Sequence, residues 1–95
     1  MVYQLDFDDD AKFEWEKLDP GVRTRLDKKL RKRLEAPRVT ASRLAGILSD
    51  CYSIKDDKSS MRLIYKVDDE ALTVLVLSVG KRANLAAYRK AEERL

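Results

Sequence analysis

Three apolar segments follow one another in the second half of the chain with only short polar turns between them: residues 51–55, 61–67 and 71–79. The first two alternate between apolar and polar side chains, whereas the third is mostly apolar on both faces and is expected to end at Gly80. Turns as short as 56–60 and 68–70 join successive strands only in an antiparallel arrangement. This pattern predicts a three-stranded antiparallel meander.

The rest of the chain predicts one further strand and three helices. Residues 2–7 alternate as a strand does, and Asp8 is suited to cap the helix that follows. A second helix is expected to begin after Asp19 and to end before Pro37. Its apolar residues recur every four positions, at Val22, Leu26, Leu30 and Leu34. Residues 83–94 have the spacing of a third helix.

The resulting order, βααβββα, predicts a single α+β domain over residues 1–95. A small antiparallel sheet is expected to carry the N-terminal helical hairpin on one face. The last helix is expected at the edge or rim of the sheet.

Composition excludes several classes of protein. The chain has 95 residues, no histidine and one cysteine, Cys51, so an internal disulfide is excluded and a zinc site has almost no ligands. We therefore predict no metal and no cofactor. No segment has the unbroken apolar length of a membrane span, and the N-terminus lacks the pattern of a signal peptide. A cytoplasmic location and no membrane partner are expected.

Charge is distributed unevenly, although the net charge is only +3. Residues 1–19 hold seven acids and two lysines, whereas residues 23–38 hold eight lysines and arginines and two acids. A basic block of this kind favours a polyanionic partner. A merely solvated helix face is the alternative that the charge pattern leaves open.

Strand alternation also predicts which cations lie together. Because neighbouring side chains of a strand point to opposite faces, Lys55 and Arg62 are expected on the face away from Leu63 and Tyr65. If the two strands pair around residues 56–60, these cations lie close to each other. Lys81, Arg82 and Tyr88 follow the last strand and are expected to line the same concave surface. Ordinary solvent-facing strand residues are the alternative.

A cluster of this kind is suited to RNA phosphate. Arginine binds phosphate through two hydrogen bonds, lysine acts as a point charge, and tyrosine stacks on bases. RNA carries its own nucleophile, the 2′-hydroxyl, so a protein that cleaves it needs only positioning, charge stabilisation and proton transfer. Without histidine, proton transfer falls to lysine, arginine or tyrosine.

The sequence resembles the RelE toxins of bacterial and archaeal toxin–antitoxin systems, within the RelE/ParE superfamily. The resemblance is carried by LDFDDDAKFEWEKLD at 5–19, KKLRKRLEAPRV at 28–39, LAGILSDCYSIK at 44–55 and RLIYKVDDEALTVLVLSVGKR at 62–82, followed by Tyr88. It implies a RelE-like fold of the microbial ribonuclease type. It also implies a metal-independent, ribosome-dependent endoribonuclease that cleaves messenger RNA in the ribosomal A site by attack of the 2′-hydroxyl and so inhibits translation. The implied partners are a RelB-type antitoxin that displaces or covers the last helix, the ribosome with its 16S rRNA, and operator DNA through the antitoxin complex only.

The same resemblance implies roles for individual residues. Lys55 is the candidate for taking the proton from the 2′-hydroxyl, and Arg62 for stabilising the transition state. Arg82 is expected at the leaving oxygen, and Tyr88 is expected to orient or stack the substrate. Further RNA contacts are expected from Ser53, Lys66, Lys81, Lys28, Lys29 and Lys32.

The chain departs from the family pattern at two places. Ser53 stands where the founding member of the family has a second lysine, and Asp56 and Asp57 directly follow Lys55. Serine supplies no charge, and two acids beside Lys55 are expected to repel RNA. A toxin-like fold that blocks translation by binding ribosomal RNA without cleaving it is therefore the alternative, and a protein that only holds a partner's helix is a third interpretation.

Overall fold

The computed structural model describes residues 2–95 of the chain. In chain order the elements are β1 (Gln4–Phe7), α1 (Asp9–Glu16), α2 (Pro20–Glu35), β2 (Cys51–Asp56), β3 (Met61–Asp68), β4 (Thr73–Lys81) and α3 (Ala86–Arg94). Short 3₁₀ segments lie at Thr40–Ser42, Gly46–Leu48 and Ala83–Leu85. The predicted α+β class and the βααβββα order are confirmed.

The four strands form one mixed sheet in the order β1-β4-β3-β2. The predicted meander is present, since β2, β3 and β4 pair antiparallel in sequence order. The expectation of an antiparallel sheet is wrong for β1, which pairs parallel with β4 from Gln4↔Thr73 to Phe7↔Val76. Parallel pairing requires a long crossover, and the chain between β1 and β4 contains both helices and the meander. Strand alternation alone does not specify a partner so distant in sequence.

Helix α2 has the predicted bounds and the predicted buried stripe. The Asp19 carboxylate accepts the N–H of Gly21 at 3.1 Å, and Pro20 occupies the first helical position. Leu26 and Leu30 are completely buried against the sheet, in a core that also contains Ala11 from α1. The predicted helical hairpin therefore covers one face of the sheet.

Helix α3 lies on the opposite face and has its own apolar cluster. Ala87 and Ala91 are completely buried there with Ile64 and Leu77 of the sheet. Close contact is possible at Gly80, because a Cβ at this position would lie 3.3 Å from the backbone nitrogen of Ala87. None of the helices within residues 2–95 is long and apolar enough to cross a membrane.

The expectation that Gly80 ends the last strand is wrong. Strand β4 continues to Lys81, because Gly80 pairs with Arg62 and Lys81 pairs with Met61. Pairing on β3 holds the glycine in the sheet, where its missing side chain makes room for α3. The consequence is that Lys81 lies within the sheet rather than in a loop.

Candidate active site

Lys55 and Arg62 are direct cross-strand partners. The register of β2 on β3 pairs Lys55 with Arg62 and Ser53 with Ile64. Because Ile64 belongs to the apolar cluster under α3, these residues share the face that carries α3. Both cations lie on the predicted face, and the register, which the sequence left open, pairs them directly.

Arg62 occupies an unusual environment for a cation. Only 8% of the residue is exposed, and its Nε is buried without a hydrogen-bond partner. Gly80 and Lys55 are its neighbours on the two adjacent strands. A buried guanidinium N–H without an acceptor costs free energy, so this site is suited to an anionic acceptor from outside the protein.

The end of β4 brings two more cations to the same end of the sheet. Lys81 and Arg82 are both exposed. The backbone N–H of Arg82 donates to the carbonyl of Ser60 at 2.9 Å, which ties this end of β4 to the turn between β2 and β3. Ser60 has a positive φ of 62°, as a tight turn requires. The turn therefore holds the backbone of Arg82 at the end of the sheet that carries Lys55 and Arg62.

Tyr88 lies in the first turn of α3 and is half-buried against the apolar cluster under that helix. The helix is fixed at this point by the Ser78 hydroxyl, which donates to the Ala87 carbonyl at 2.6 Å. Both Ser78 and Ala87 are completely buried. Tyr88 is therefore carried by a helix that is held directly over the end of β4.

The cations of this face lack acidic partners. Within residues 2–95, no carboxylate lies within 4 Å of the charged nitrogens of Lys55, Arg62, Lys81 or Arg82, whereas Arg25, Arg38 and Arg94 all form ion pairs. We use the name cationic face for Lys55, Arg62 and Arg82. Lys81 pairs with Met61, which pairs with Asp56, so the register turns the Lys81 side chain to the opposite face, contrary to expectation. An unneutralised group of like charges is stabilised by a bound anion.

The expectation that two acids beside Lys55 repel RNA is wrong for Asp56. Asp56 is 2% exposed, and both of its oxygens bind Arg25 of α2, at 2.8 and 3.0 Å. Hydrogen bonds from Arg25 and Ser59 hold the pKa of the Asp56 carboxyl well below its usual range. Strand alternation turns this charge away from the cationic face, and Arg25 neutralises it. Asp57 is exposed.

The predicted RNA contacts on α2 belong to a different surface. Lys28, Lys29 and Lys32 line an open cleft of about 420 Å³ between α2 and the β2–β3 turn. The ammonium of Lys29 donates to the backbone carbonyl of Lys55, so this cleft borders the strand that carries the cationic face. Lys66 lies four residues beyond Arg62, roughly 13 Å along β3, and is not part of either group.

Cys51 and the acids have no arrangement suited to nucleophilic or metal chemistry. Cys51 is completely buried, and burial raises the pKa of its thiol to about 11. No group of three or more histidine, cysteine, aspartate or glutamate side chains in the described part of the chain is placed to hold a metal ion. The groups available for chemistry are therefore the lysine and arginines of the cationic face and Tyr88 of α3.

Comparison with known proteins places this arrangement in a family. The model of the ParE toxin of type II toxin–antitoxin systems matches residues 5–86. The chain is 48% identical, over all of its length and 99% of the relative, to the mRNA interferase toxin RelE of Escherichia coli K12. The chain belongs to the RelE/ParE family of toxins.

Solved structures of E. coli RelE share this fold throughout. A substituted form of RelE in the free state is 47% identical and superposes with a TM-score of 0.92 over 100% of this chain and 99% of that one. The RelE chain of the intact RelBE toxin–antitoxin complex is 49% identical, with a TM-score of 0.83 over 87% of this chain and 100% of that one. The RelE-like fold is thereby confirmed.

In the RelE-like fold of this chain, Ser53 is buried and its carbonyl accepts from Arg33 Nη1 at 3.3 Å. Residue 53 shares a face with Lys55 and Arg62, and as a serine it adds no charge to the cationic face. Sequence reasoning missed the role of Arg25 and Arg33, which bind β2 from α2. Their four-residue spacing with Lys29 was a usable signal, because it places all three on one helix face.

Proposed function

We propose that this RelE-family chain is a toxin that cleaves messenger RNA in the ribosomal A site. The 2′-oxygen forms a bond to phosphorus while the bond to the 5′-oxygen breaks, leaving a cyclic phosphate and a 5′-hydroxyl. The naming of close relatives as mRNA interferases supports this activity over other activities of the superfamily.

In this proposal each member of the site has one role. Lys55 accepts the proton of the 2′-hydroxyl, and Arg62 stabilises the charge that develops on the phosphate oxygens. Arg82 stabilises the leaving 5′-oxygen or protonates it, and Tyr88 stacks on or orients the substrate.

The observation that carries the proposal is the state of Arg62. A buried guanidinium with an unpartnered Nε, opposite Lys55 and without an acidic neighbour among the described residues, lacks only an anion to satisfy it. The oxygens of a scissile phosphate are acceptors of the right charge. A site of this kind favours the transition state, because the donor is already in place and no other group competes for it.

Docking to the ribosome uses the other cations. Ser53 contacts the message beside the scissile phosphate, Lys81 contacts RNA from the other face at the same end of the sheet, and Lys66 contacts RNA further along the sheet. Lys28 and Lys32 bind phosphates of 16S rRNA from the cleft between α2 and the turn, and Lys29 lines the same cleft with its ammonium on the Lys55 carbonyl. Because its substrate is on the ribosome, the toxin acts in the cytoplasm.

A RelB-type antitoxin is the proposed partner that neutralises the chain. Solved complexes of E. coli RelE with RelB support this pairing. Binding that covers or displaces α3 removes Tyr88 from the site. Operator DNA is contacted through the antitoxin in the complex.

The test is primer extension on programmed ribosomes with the wild-type chain, Arg82→Ala and Lys12→Ala. Lys12 is an exposed cation on α1 and serves as the matched control. The wild type and Lys12→Ala should cut in the A site, and Arg82→Ala should lose about a hundredfold or more in rate. Equal cutting by Arg82→Ala contradicts the site assignment, and an uncut message with the wild type contradicts the proposed function.

Inhibition of translation without cleavage is the second candidate function. It is favoured by Ser53, which supplies no charge on the cationic face. Arrest of translation with an intact message in the same assay would support it. Restored cutting in Ser53→Lys would then identify the missing cation as the cause.

A further inference from the structure

Three cations on one face of α2 bind the edge strand β2 between residues 53 and 56. Arg25 binds the Asp56 carboxylate, Lys29 donates to the Lys55 carbonyl, and Arg33 donates to the Ser53 carbonyl. We call Arg25, Lys29 and Arg33 the α2 ladder. Each member of the ladder is four residues from the next, and together they bind three of the four residues at 53–56 of β2.

The spacing works because two periodicities agree. Four residues of a helix advance about 6 Å, and two residues of a strand advance about 6.6 Å. From residue 25 to residue 33 of α2, the bound residues of β2 run backwards from 56 to 53. The helix and the strand therefore run in opposite directions. Lys29 and Arg33 therefore meet carbonyls that are one strand repeat apart, whereas Arg25 meets the side chain of Asp56 at the end of the strand.

The strand that the ladder binds is the least supported strand of the meander. β2 lies at the edge of the sheet and has only β3 as a full neighbour. On its other side, the N–H of Leu44 donates to the Cys51 carbonyl, and the ladder binds the carbonyls of Ser53 and Lys55. Edge carbonyls left to water allow a strand end to fray and twist.

Lys55 depends on this support more than its neighbours do. Its side chain is exposed, and no carboxylate among residues 2–95 lies within 4 Å of its ammonium group. The direction of its side chain therefore follows from the backbone at residues 53–56, which the ladder holds. Arg33 is itself fixed, because it also donates to the Tyr65 hydroxyl at 2.9 Å and to the Ser42 hydroxyl at 3.0 Å.

We infer that Lys29, with Arg25 and Arg33, is a positioning residue of the cleavage reaction: the ladder holds β2 so that Lys55 stays opposite Arg62. The inference rests on the proposed function, since it assigns a role to Lys55. It gives Lys29 a task other than contact with phosphate, because its ammonium binds the peptide group of the residue it positions. A displacement of about 1 Å in a reacting group is enough to cost up to a hundredfold in rate.

The experiment compares Lys29→Met, Lys29→Arg and the control Lys12→Met. Single-turnover cleavage is measured over a range of ribosome concentrations, together with thermal unfolding. Lys29→Met should lower the rate at saturating ribosomes by about tenfold or more with an unchanged half-saturating concentration. Lys29→Arg, which keeps a donor at this position, should restore most of the rate, and all variants should unfold at a similar temperature.

Hydrogen exchange of the peptide covering residues 51–57 provides a readout that is independent of cleavage. The inference predicts faster exchange of this peptide in Lys29→Met and no change in Lys12→Met. The inference is overturned if exchange is unchanged in Lys29→Met. It is also overturned if Lys29→Met raises the half-saturating ribosome concentration and leaves the rate at saturation unchanged, since that pattern identifies a phosphate contact. If the wild type does not cleave, the proposed function fails, and the exchange result still decides whether the ladder holds β2.

Discussion

Lys55 and Arg62 lie directly opposite each other on β2 and β3, on the face that carries α3, while Asp56 faces α2 and is bound by Arg25. Lys55 and Asp56 are adjacent in sequence, and strand alternation places their side chains on opposite faces of the sheet. The cationic face keeps its charge for this reason, and the acid serves instead to attach α2 to the sheet.

Arg62 is expected to reduce stability in the absence of RNA. Its buried, unpartnered Nε costs about 1–3 kcal/mol, so Arg62→Met should raise the free energy of unfolding while abolishing cleavage. Urea unfolding and primer extension measure the two effects. Arg89→Met, at an exposed position of α3, should change neither. A destabilised but active Arg62→Met would contradict the role given to Arg62.

The Arg25–Asp56 pair should make stability depend on acid pH. The pKa of Asp56 lies below its unfolded value of about 3.9, so its contribution is complete above that pH and is lost as the pH falls towards the folded-state value. Wild-type stability should therefore fall more steeply than that of Asp56→Asn on acidification below about pH 4. Urea unfolding from pH 7 to pH 2.5, in steps of roughly half a unit, measures this difference. Asp57→Asn, at an exposed position, should keep the wild-type slope.

Gly80→Ala should displace α3. The added Cβ would lie 3.3 Å from the nitrogen of Ala87 and 3.5 Å from its Cα, and backbone atoms give way less readily than side chains. We expect a loss of about 1–3 kcal/mol in stability and a lower cleavage rate, because Tyr88 moves with the helix. Gly46→Ala is the control, since a Cβ there meets nothing within 4 Å and only the positive φ of 67° is strained. It should lose stability without a change in the rate of cleavage.

Glu14 is expected to hold the last turns of α3. Its carboxylate accepts from Arg94 at 2.8 and 3.0 Å, from Lys90 at 2.9 Å and from the N–H of Val79 at 3.1 Å. Burial alone would raise the pKa of Glu14, but these hydrogen bonds outweigh it and the pKa lies below its ordinary value. Glu14→Gln should therefore accelerate hydrogen exchange in residues 86–94. Glu92→Gln, at an exposed site, should not, and equal exchange in both variants would exclude this role.

Charge reversal in the α2 cleft should weaken ribosome association in a salt-dependent way. Lys28→Glu and Lys32→Glu each remove a phosphate contact. Log affinity falls as log salt rises, and each variant should make this fall shallower by about one unit of slope. Binding should consequently suffer more at low salt than at high salt. Sedimentation with ribosomes over a salt series measures this, with Lys17→Glu on the C-cap of α1 as the control. Unchanged binding in both cleft variants would exclude α2 as the docking surface.

Much of the fold follows from local patterns. The leucine stripe and the Asp19–Pro20 start define α2, and strand alternation assigned Lys55 and Arg62 to one face and Leu63 to the other. These inferences succeed because helix and strand periodicities, together with caps, are properties of adjacent residues.

The sequence by itself determined the order of helices and strands, the faces on which the side chains of β2 and β3 lie, and the identity of the cations. Only the tertiary structure decided that β1 runs parallel to β4, that β4 continues through Gly80, and that Arg25 neutralises Asp56. Each of these depends on contact between residues far apart in sequence, where the partner is selected by packing of the whole chain and not by local propensity. The burial of Arg62 belongs to the same class, because it requires the sheet and its cover to be assembled first.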